Sequence, residues 1–305
     1  MVEAVKEPFV SVSRASRPAS KVGLLQRRSI RHLLGRLVLY PVLIAGGIVL
    51  LIPLAWLLSS SLKERGAILV IPPQWIPNPV RWQNYPDLWR AIPFALFVRN
   101  TLTITFFSML GTLLSASLVA YGFARIRFPY RDTIFLLVLA TMMIPGQVTL
   151  IPTYILFRVL GWLDTFYPLT VPAFFGGGAF NIFLLRQFYM TIPIELDDAA
   201  RIDGCGTFQI LYRIIIPQAR PALGIIAIFG FLGHWNDFFG PLIYLNSKDK
   251  YTLALGLNLF RHGDMGLDAN LLMAGSMMSA LPCIALYFAA QRYFIQGIVF
   301  TGLKG

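Results

Sequence analysis

The segment from Thr191 to Leu223 concentrates charge in a chain that is otherwise apolar. It carries four acids and three arginines, which are Glu195, Asp197, Asp198, Asp203, Arg201, Arg213 and Arg220. The chain shows no nucleophile–base or metal-ligand spacing, and its three histidines (His32, His234 and His262) are far apart in sequence. The charged segment therefore predicts recognition of a partner protein rather than catalysis or metal binding.

The first half of this segment is predicted to be a short helix. Pro193 suits a first helical turn, and acids that follow closely meet the positive end of the helix dipole. Ala199 and Ala200 add a small, flat patch beside the acids. Gly204 permits a left-handed turn that another residue would enter at a cost of about 1–2 kcal/mol. A patch of this size, flanked by acids, is suited to a cleft on another protein.

The second half is predicted to form an amphipathic helix from about Thr207 to Ile216, which Pro217 breaks. The chain lacks a GxxxxGK[ST] loop and has no Gly-Lys dipeptide. We therefore expect it to bind no nucleotide cofactor itself.

The elements that position this segment are membrane helices. Of the 305 residues, 56% are hydrophobic and 13% are charged, and the mean hydropathy is +0.66. A soluble domain carries about 25% charged residues. Six spans of adequate length are predicted, at Leu37–Leu58, Thr101–Ala124, Thr133–Tyr154, Tyr167–Leu185, Leu223–Leu245 and Asp268–Ala290.

The distribution of basic residues predicts the orientation. Of the 26 Lys and Arg residues, 17 fall in the N-terminal arm, the loop between spans two and three, the charged segment together with the nearby Arg186, and the C-terminal tail. Basic residues mark cytoplasmic loops. We therefore expect a multi-pass protein of the inner or plasma membrane with both termini cytoplasmic, and we interpret the net charge of +12 as a topology signal rather than a nucleic-acid footprint.

Several spans contain features of a transport pathway. Pro145 and Gly176–Gly178 interrupt predicted spans, and irregular backbone at membrane depth must be buried in protein or line a cavity. A polar group lies in span five (His234, Trp235, Asn236 and Asp237), with Gln147 and Asn181 as further candidates in spans three and four. The group either faces a sugar, with Trp235 stacking on the ring, or is a structural cluster that holds span five to its neighbours or gates the pore.

The charged segment resembles the EAA loop of ABC importer permeases. The pattern of that loop is E-A-A, then three residues, G, nine residues and I-x-L-P. This chain reads Asp198-Ala199-Ala200, then Gly204, then Ile214-Ile215-Ile216-Pro217. Asp198 replaces the usual Glu and Ile216 the usual Leu, and Glu195, one turn earlier, offers a second carboxylate. WNDFFGPLIYL, LMAGSMMSALP and QRYFIQGIVFTGLKG resemble the carbohydrate-uptake subfamily of the maltose and multiple-sugar type.

The resemblance implies an all-α integral membrane protein with six transmembrane helices and the type I ABC importer permease fold. A basic, partly disordered arm (residues 1–36) would precede the permease domain (37–290) and a cytoplasmic tail (291–305). The coupling loop (186–222), hereafter the insert, would contact the ATPase through residues Glu195, Asp198, Ala199, Ala200, Asp203, Gly204, Ile214 and Pro217.

The implied partners are a second homologous permease, an ABC ATPase dimer that uses the ATP, and an extracytoplasmic sugar-binding protein. The implied function is transport rather than enzymatic catalysis. Two alternatives remain, a permease of the same family that carries a polyol or glycerophosphodiester, and an ion-coupled secondary transporter. The latter predicts inverted repeats and more carboxylates within the membrane, whereas Asp237 is the one acid deep in a predicted span. The tail is expected to be partly extended, because Gly297 and Gly302 disfavour helix.

Overall fold

The computed structural model describes residues 28–68, 70–260 and 268–301, with side chains for 36–68, 70–260 and 268–291. Helices are the only regular secondary structure in these ranges. The predicted disordered arm falls mostly on residues 1–27, outside the described residues. The all-α prediction is confirmed.

The chain divides into two units, Met1–Ala55 and Trp56–Gly305. Helix α1 (Arg28–Ser61) begins in the first unit and ends in the second. The other helices are α2 (Asn84–Ala91), α3 (Phe94–Arg125), α4 (Arg131–Ala140), α5 (Gly146–Val159), α6 (Tyr167–Thr170), α7 (Ala179–Thr191), α8 (Glu195–Ile202), α9 (Thr207–Ile210), α10 (Ile216–Gln218), α11 (Arg220–Trp235), α12 (Phe239–Tyr244), α13 (Leu253–Leu257) and α14 (Ala269–Thr301).

The described residues contain four helices or helical segments long and apolar enough to cross a membrane, at Arg36–Ser61, Phe94–Arg125, Tyr167–Thr191 and Ala269–Gln291. Two bent pairs bring the number to six if each pair is one span. They are Arg131–Met143 with Gly146–Val159, bent by 96°, and Thr207–Gln218 with Arg220–Trp235, bent by 78°. Counted in this way, the spans equal the predicted six in number, and two of them are broken.

Pro145 lies at the first bend. Its extended backbone (ψ 135°) separates α5 from α4 and from the 3-10 turn that follows α4. At the second bend, Pro217 is not the breaking residue that the sequence predicted. It occupies the first turn of α10, where proline is tolerated, and the helical segment from Thr207 ends at Gln218. Span five was predicted to continue to Leu245, but α11 ends at Trp235 and a separate α12 follows.

The C-terminal tail is helical, contrary to the prediction of a partly extended segment. Helix α14 continues without interruption from Ala269 to Thr301 and includes Gly297. A glycine inside a helix costs about 1 kcal/mol relative to alanine, which is too little to end a helix of 33 residues.

Helix α3 is the centre of the second unit and packs against α7, α11 and the helical turn Val171–Phe174. Its small residues Gly111, Ser115, Ala116 and Ala120 are buried. Small side chains allow backbones to approach closely. Gly177 has a left-handed backbone (φ +67°), and a Cβ there would lie 2.7 Å from the Thr112 carbonyl oxygen. The break before α7 is therefore packed directly on the middle of α3.

Candidate functional site

Helix α8 carries the insert's acids and presents two different faces. Asp197 and Ala200 are buried, with 0% and 5% exposure. Residues at i, i+3, i+4 and i+7 share a helix face, and the opposite face consists of Glu195, Asp198, Ala199 and Ile202, all exposed. One face of α8 thus belongs to the protein's own core, and the other is open to solvent.

The buried face is joined to α3 through an ion pair. Arg125, the last residue of α3, places its Nε 3.6 Å from Asp197 Oδ2, and both side chains are buried. This separation is an ion-pair distance rather than a hydrogen bond. Burial raises the pKa of the Asp197 carboxyl and Asp198 adds to the rise, whereas the charges of Arg125 and Arg201 oppose it.

Arg125 also binds the end of α7. Its Nη2 donates to the carbonyl oxygens of Tyr189, at 2.9 Å, and Ile192, at 2.6 Å. Carbonyls at a helix C-terminus lack helical partners and carry partial negative charge, so they favour a guanidinium. A single side chain therefore fixes α3, α7 and α8 to one another.

The predicted Ala-Ala patch is only half correct. Ala199 is exposed, but Ala200 packs into the hydrophobic core with Tyr189, Ile210 and Leu211. Asp197 and Ala200 are three residues apart and so lie on the same, inward face. Ala200 therefore stabilises the fold of the insert rather than presenting a surface.

Two large apolar side chains enlarge the exposed surface of the insert. Ile202, at the end of α8, is 87% exposed, and Phe208, in α9, is 76% exposed. Asp198 lies 3.6 Å from Arg201, and both side chains are more than half exposed. An ion pair so exposed contributes little to stability, which leaves the Asp198 carboxylate free to bind another group.

The remaining predicted insert residues shape the turn and the second helix. Asp203 is exposed at the end of α8, and Gly204 takes the predicted left-handed backbone, φ +82°. The Cys205 amide donates to the Ala200 carbonyl oxygen at 2.8 Å, which closes the turn. Ile214 and Pro217 are half-buried.

A cleft of about 420 Å³ lies between α11, α13 and α14. It is lined by Asn236, Phe238, Ala254, Leu257, Asn258, Leu272, Ser276, Ser279 and Ala280. These walls offer amides and hydroxyls on an apolar background and carry no charged side chain. Such a surface suits a neutral, hydroxylated ligand.

Of the six predicted pathway residues, Asn236 alone lines this cleft. Trp235 is buried, stacks on Phe231 at 5.4 Å and donates its Nε1 hydrogen to the Ser279 carbonyl oxygen. Its ring is therefore unavailable for stacking on a sugar, which corrects that interpretation. Asp237 accepts the Gly240 amide at 3.1 Å near the start of α12.

The other three candidates also lie outside the cleft lining. Asn181 donates to the Gly177 carbonyl oxygen at 2.8 Å and so secures the glycine break. His234 is half-buried in α11, and Gln147 is exposed on α5.

Sequence reasoning missed Asp197, Arg125 and the polar residues of α13 and α14. The spacing of Asp197 to Ala200 could have placed both on one face, but it does not say which face is buried. Arg125 was counted only as a topology signal. Ser276 and Ser279 are one turn apart and lay within a quoted motif, but they have no charge to mark them.

The comparisons with known proteins agree with this architecture. Residues 113–299 match the family of binding-protein-dependent transport system inner membrane components. The chain belongs to this family. It is the membrane-spanning permease of a binding-protein-dependent transporter, and the members that it matches are transport proteins rather than enzymes.

Two relatives match most of the permease. It is 35% identical over 259 residues to the arabinooligosaccharides transport system permease protein AraQ of Bacillus subtilis, covering 84% of this chain and 91% of the relative. It is 30% identical over 264 residues to the sn-glycerol-3-phosphate transport system permease protein UgpE of Yersinia enterocolitica, covering 84% and 93%.

A solved structure supports the same fold. A chain of a bacterial ABC transporter that imports the acidic polysaccharide alginate superposes with a TM-score of 0.76 at 25% identity. The match covers 94% of the permease and 100% of that chain. The permease therefore has the type I importer fold that the resemblance implied.

Proposed function

We propose that the permease is half of the membrane pathway of an ATP-driven sugar importer, and that the exposed face of α8 docks on the ATPase. The observation that carries this proposal is the sorting of α8 into two faces. Asp197 and Ala200 are buried in the permease, whereas Glu195, Asp198, Ala199 and Ile202 are exposed at turn spacing.

The chemistry of this face suits a partner groove. Ile202 is 87% exposed, and burying an isoleucine side chain contributes about 1.5–3 kcal/mol. Ala199 adds no bulk between it and the carboxylates of Glu195 and Asp198. We expect a groove with an apolar floor and basic edges, which would pair with these carboxylates.

The proposed assembly contains a second homologous permease, an ATPase dimer and an extracytoplasmic sugar-binding protein. In this arrangement both termini and the insert are cytoplasmic, in agreement with the distribution of basic residues. ATP is bound and hydrolysed by the partner ATPase.

Replacing Ala199 with glutamate tests the docking face. The larger side chain would overfill the groove, so the ATPase should no longer co-purify with the permease, while membrane insertion should be unchanged. Ala95→Glu is the matched control, because Ala95 is also an exposed alanine within a helix, in α3. Normal ATPase recovery with Ala199→Glu would contradict the proposal.

The cleft supports a neutral sugar as cargo. Its polar lining residues, Asn236, Asn258, Ser276 and Ser279, are uncharged, whereas a phosphate-bearing cargo favours arginine or lysine. The names of the two relatives specify arabinooligosaccharides and sn-glycerol-3-phosphate. Of these, the phosphate-bearing cargo is less suited to this cleft.

Uptake measurements with the intact importer test this assignment. Cells should take up a labelled arabino-oligosaccharide in preference to glycerol 3-phosphate, and Ser276→Ala should lower that uptake without loss of ATPase. Gln147→Ala should have no effect, because Gln147 does not line the cleft. Preferential uptake of glycerol 3-phosphate would contradict the neutral-cargo proposal.

A further inference from the structure

Arg125 and Asp197 lie where three parts of the permease meet. Arg125 ends α3, its guanidinium binds two carbonyls at the end of α7, and its Nε faces the Asp197 carboxylate of α8. The connection from α7 to α8 is only three residues long. A displacement of α8 therefore reaches both α3 and α7 through this pair of side chains.

The pair is poorly suited to stabilisation alone. Asp197 is fully buried, and its carboxylate faces Arg125 at 3.6 Å without a hydrogen bond to it. Taking two charges out of water costs about as much as their attraction returns, whereas the attraction depends steeply on separation when water is excluded. Burial raises the pKa of the Asp197 carboxyl, in agreement with a net cost of ionisation. Such a pair specifies a position more than it adds stability.

Both helices held by Arg125 lead to the glycine break in the middle of the bundle. Ser115, in α3, donates to the Ala173 carbonyl oxygen at 2.8 Å, and Asn181, in α7, binds the Gly177 carbonyl oxygen. Phe175, between these contacts, is 81% exposed. The break is thus held from both sides by the two helices that Arg125 joins.

We propose that Arg125 and Asp197 form a joint that passes movement of α8 to α3 and α7, and through them to the glycine break. Asp197 is a positioning residue in this account, since it acts through Arg125 and touches no cargo. The inference rests on the proposed docking of α8 on the ATPase. It adds the route by which closure of the ATPase reaches the middle of the membrane domain.

The test measures transmission separately from docking and from stability. Phe175→Cys, in a chain whose Cys205 and Cys283 are replaced by serine, reports the environment of the break through its rate of maleimide labelling. The assembled importer is labelled with and without a non-hydrolysable ATP analogue. The same preparations give the amount of ATPase retained and the melting temperature of the permease.

Asp197→Asn is the decisive variant, because it removes the charge and keeps the shape. We expect normal ATPase retention, a melting temperature at or above that of the parent, and loss of the nucleotide-dependent change in labelling, which should be about fivefold or more in the parent. Asp197→Glu should restore that change. Asp132→Asn is the matched control, because Asp132 also pairs with a buried arginine, Arg186, but is 70% exposed.

Three results would overturn the joint. The first is a full labelling response in Asp197→Asn, and the second is a fall in melting temperature that parallels the loss of response, which would make Asp197 purely structural. The third is loss of the ATPase itself, which would place Asp197 in docking. Failure of the docking proposal is distinguishable, because it appears as normal ATPase retention in Ala199→Glu, independently of Asp197.

Discussion

The two ends of the helical bundle are held together by different side chains. At the insert end, arginines bind helix-terminal carbonyls, Arg125 those of Tyr189 and Ile192, and Arg186 that of Phe123. At the opposite end, asparagines bind the backbone carbonyls. Asn84 donates to the carbonyl oxygens of Ser61 and Lys63, and Asn100 to those of Asp249 and Tyr251.

This difference determines what each end depends on. The Arg125 guanidinium binds two carbonyls at the end of α7 and faces the Asp197 carboxylate of α8, so its contacts are complete only when α8 is in place. An amide is neutral, and Asn84 is satisfied by backbone and by the Asn270 side chain, 2.9 Å away. The arginine contacts at the insert end therefore depend on the position of α8, whereas Asn84 and Asn100 bind backbone carbonyls and carry no charge.

The largest loss of stability is expected for Arg125→Ala. It leaves Asp197 buried without its counter-charge, which should cost about 3–5 kcal/mol, and the loss of both carbonyl contacts adds to that cost. The free energy of unfolding of the purified permease in detergent measures this loss. Arg127→Ala, an exposed arginine two residues further on, should change it little, and equal losses in the two variants would refute the account of the insert end.

A smaller loss is expected at the opposite end for Asn84→Leu. Asn84 is fully buried, and its removal leaves backbone carbonyls and the Asn270 amide without a partner. Each buried group left unpaired costs about 1–3 kcal/mol. The same unfolding measurement checks this, with the exposed Asn246→Leu as control. If Asn84→Leu were as stable as the parent, the opposite end would not depend on this amide.

A third contribution to stability comes from hydrogen bonds between Asp164 and residues 246–250, hereafter the loop clasp. Asp164 accepts hydrogen bonds from Lys250 Nζ at 2.9 Å, from the Ser247 hydroxyl at 2.6 Å and from the amides of Ser247 and Asn246. Burial alone would raise the pKa of Asp164, but these hydrogen bonds outweigh it and hold the pKa well below its usual range. The clasp therefore stabilises the folded state while Asp164 is ionised.

Asp164→Asn should cost about 1 kcal/mol at neutral pH, because the side chains are partly exposed. Asparagine tolerates the left-handed backbone found at this position, φ 57°. Since the folded pKa is lowered, the contribution is present above the ordinary value of 3.8 and is lost as the pH falls through the folded pKa. The unfolding free energies of parent and variant should converge in acid, with Asp249→Asn as control. A constant difference at every pH would contradict the clasp.

The smallest change in stability is expected for Asp197→Asn. Unlike Asn84→Leu at the opposite end, this variant should not lose stability at neutral pH. The pKa of Asp197 is raised in the folded state, so protonation of this carboxyl stabilises the fold below the ordinary value of 3.8. That stabilisation is lost as the pH rises through the folded pKa. The asparagine variant should therefore unfold no more easily than the parent at neutral pH, and its relative stability should fall on acidification. Destabilisation at neutral pH that matched Arg125→Ala would show that the pair acts mainly by attraction.

The sequence predicted the spans and the insert because these depend on local signals. Long apolar runs, acids after Pro193 and a glycine at 204 each specify structure within one or two turns. The break at Ala219 was predicted two residues too early, at Pro217, because proline at a first helical turn does not end a helix. The break after Trp235 was missed, because α12 follows α11 closely.

Burial in the insert was harder to predict than its helices. Asp197 and Asp198 are chemically identical neighbours, and contacts of α8 with other helices, those of Ala200 and Arg125 among them, place Asp197 inside. The same holds for Trp235, whose sequence context suggested a ligand, but whose ring is stacked on Phe231. Side chains on one helix are sorted by contacts with distant helices, which periodicity alone does not reveal.

The most direct test of the account is a site-specific cross-link from the exposed face of α8. A photo-reactive amino acid at Ile202 should form a covalent adduct with the ATPase in intact membranes, because Ile202 is 87% exposed on the proposed docking face. The same probe at Ile76, which is 82% exposed and follows α1, should not. An ATPase adduct at Ile76 and none at Ile202 would contradict the central claim that α8 is where the permease meets its motor.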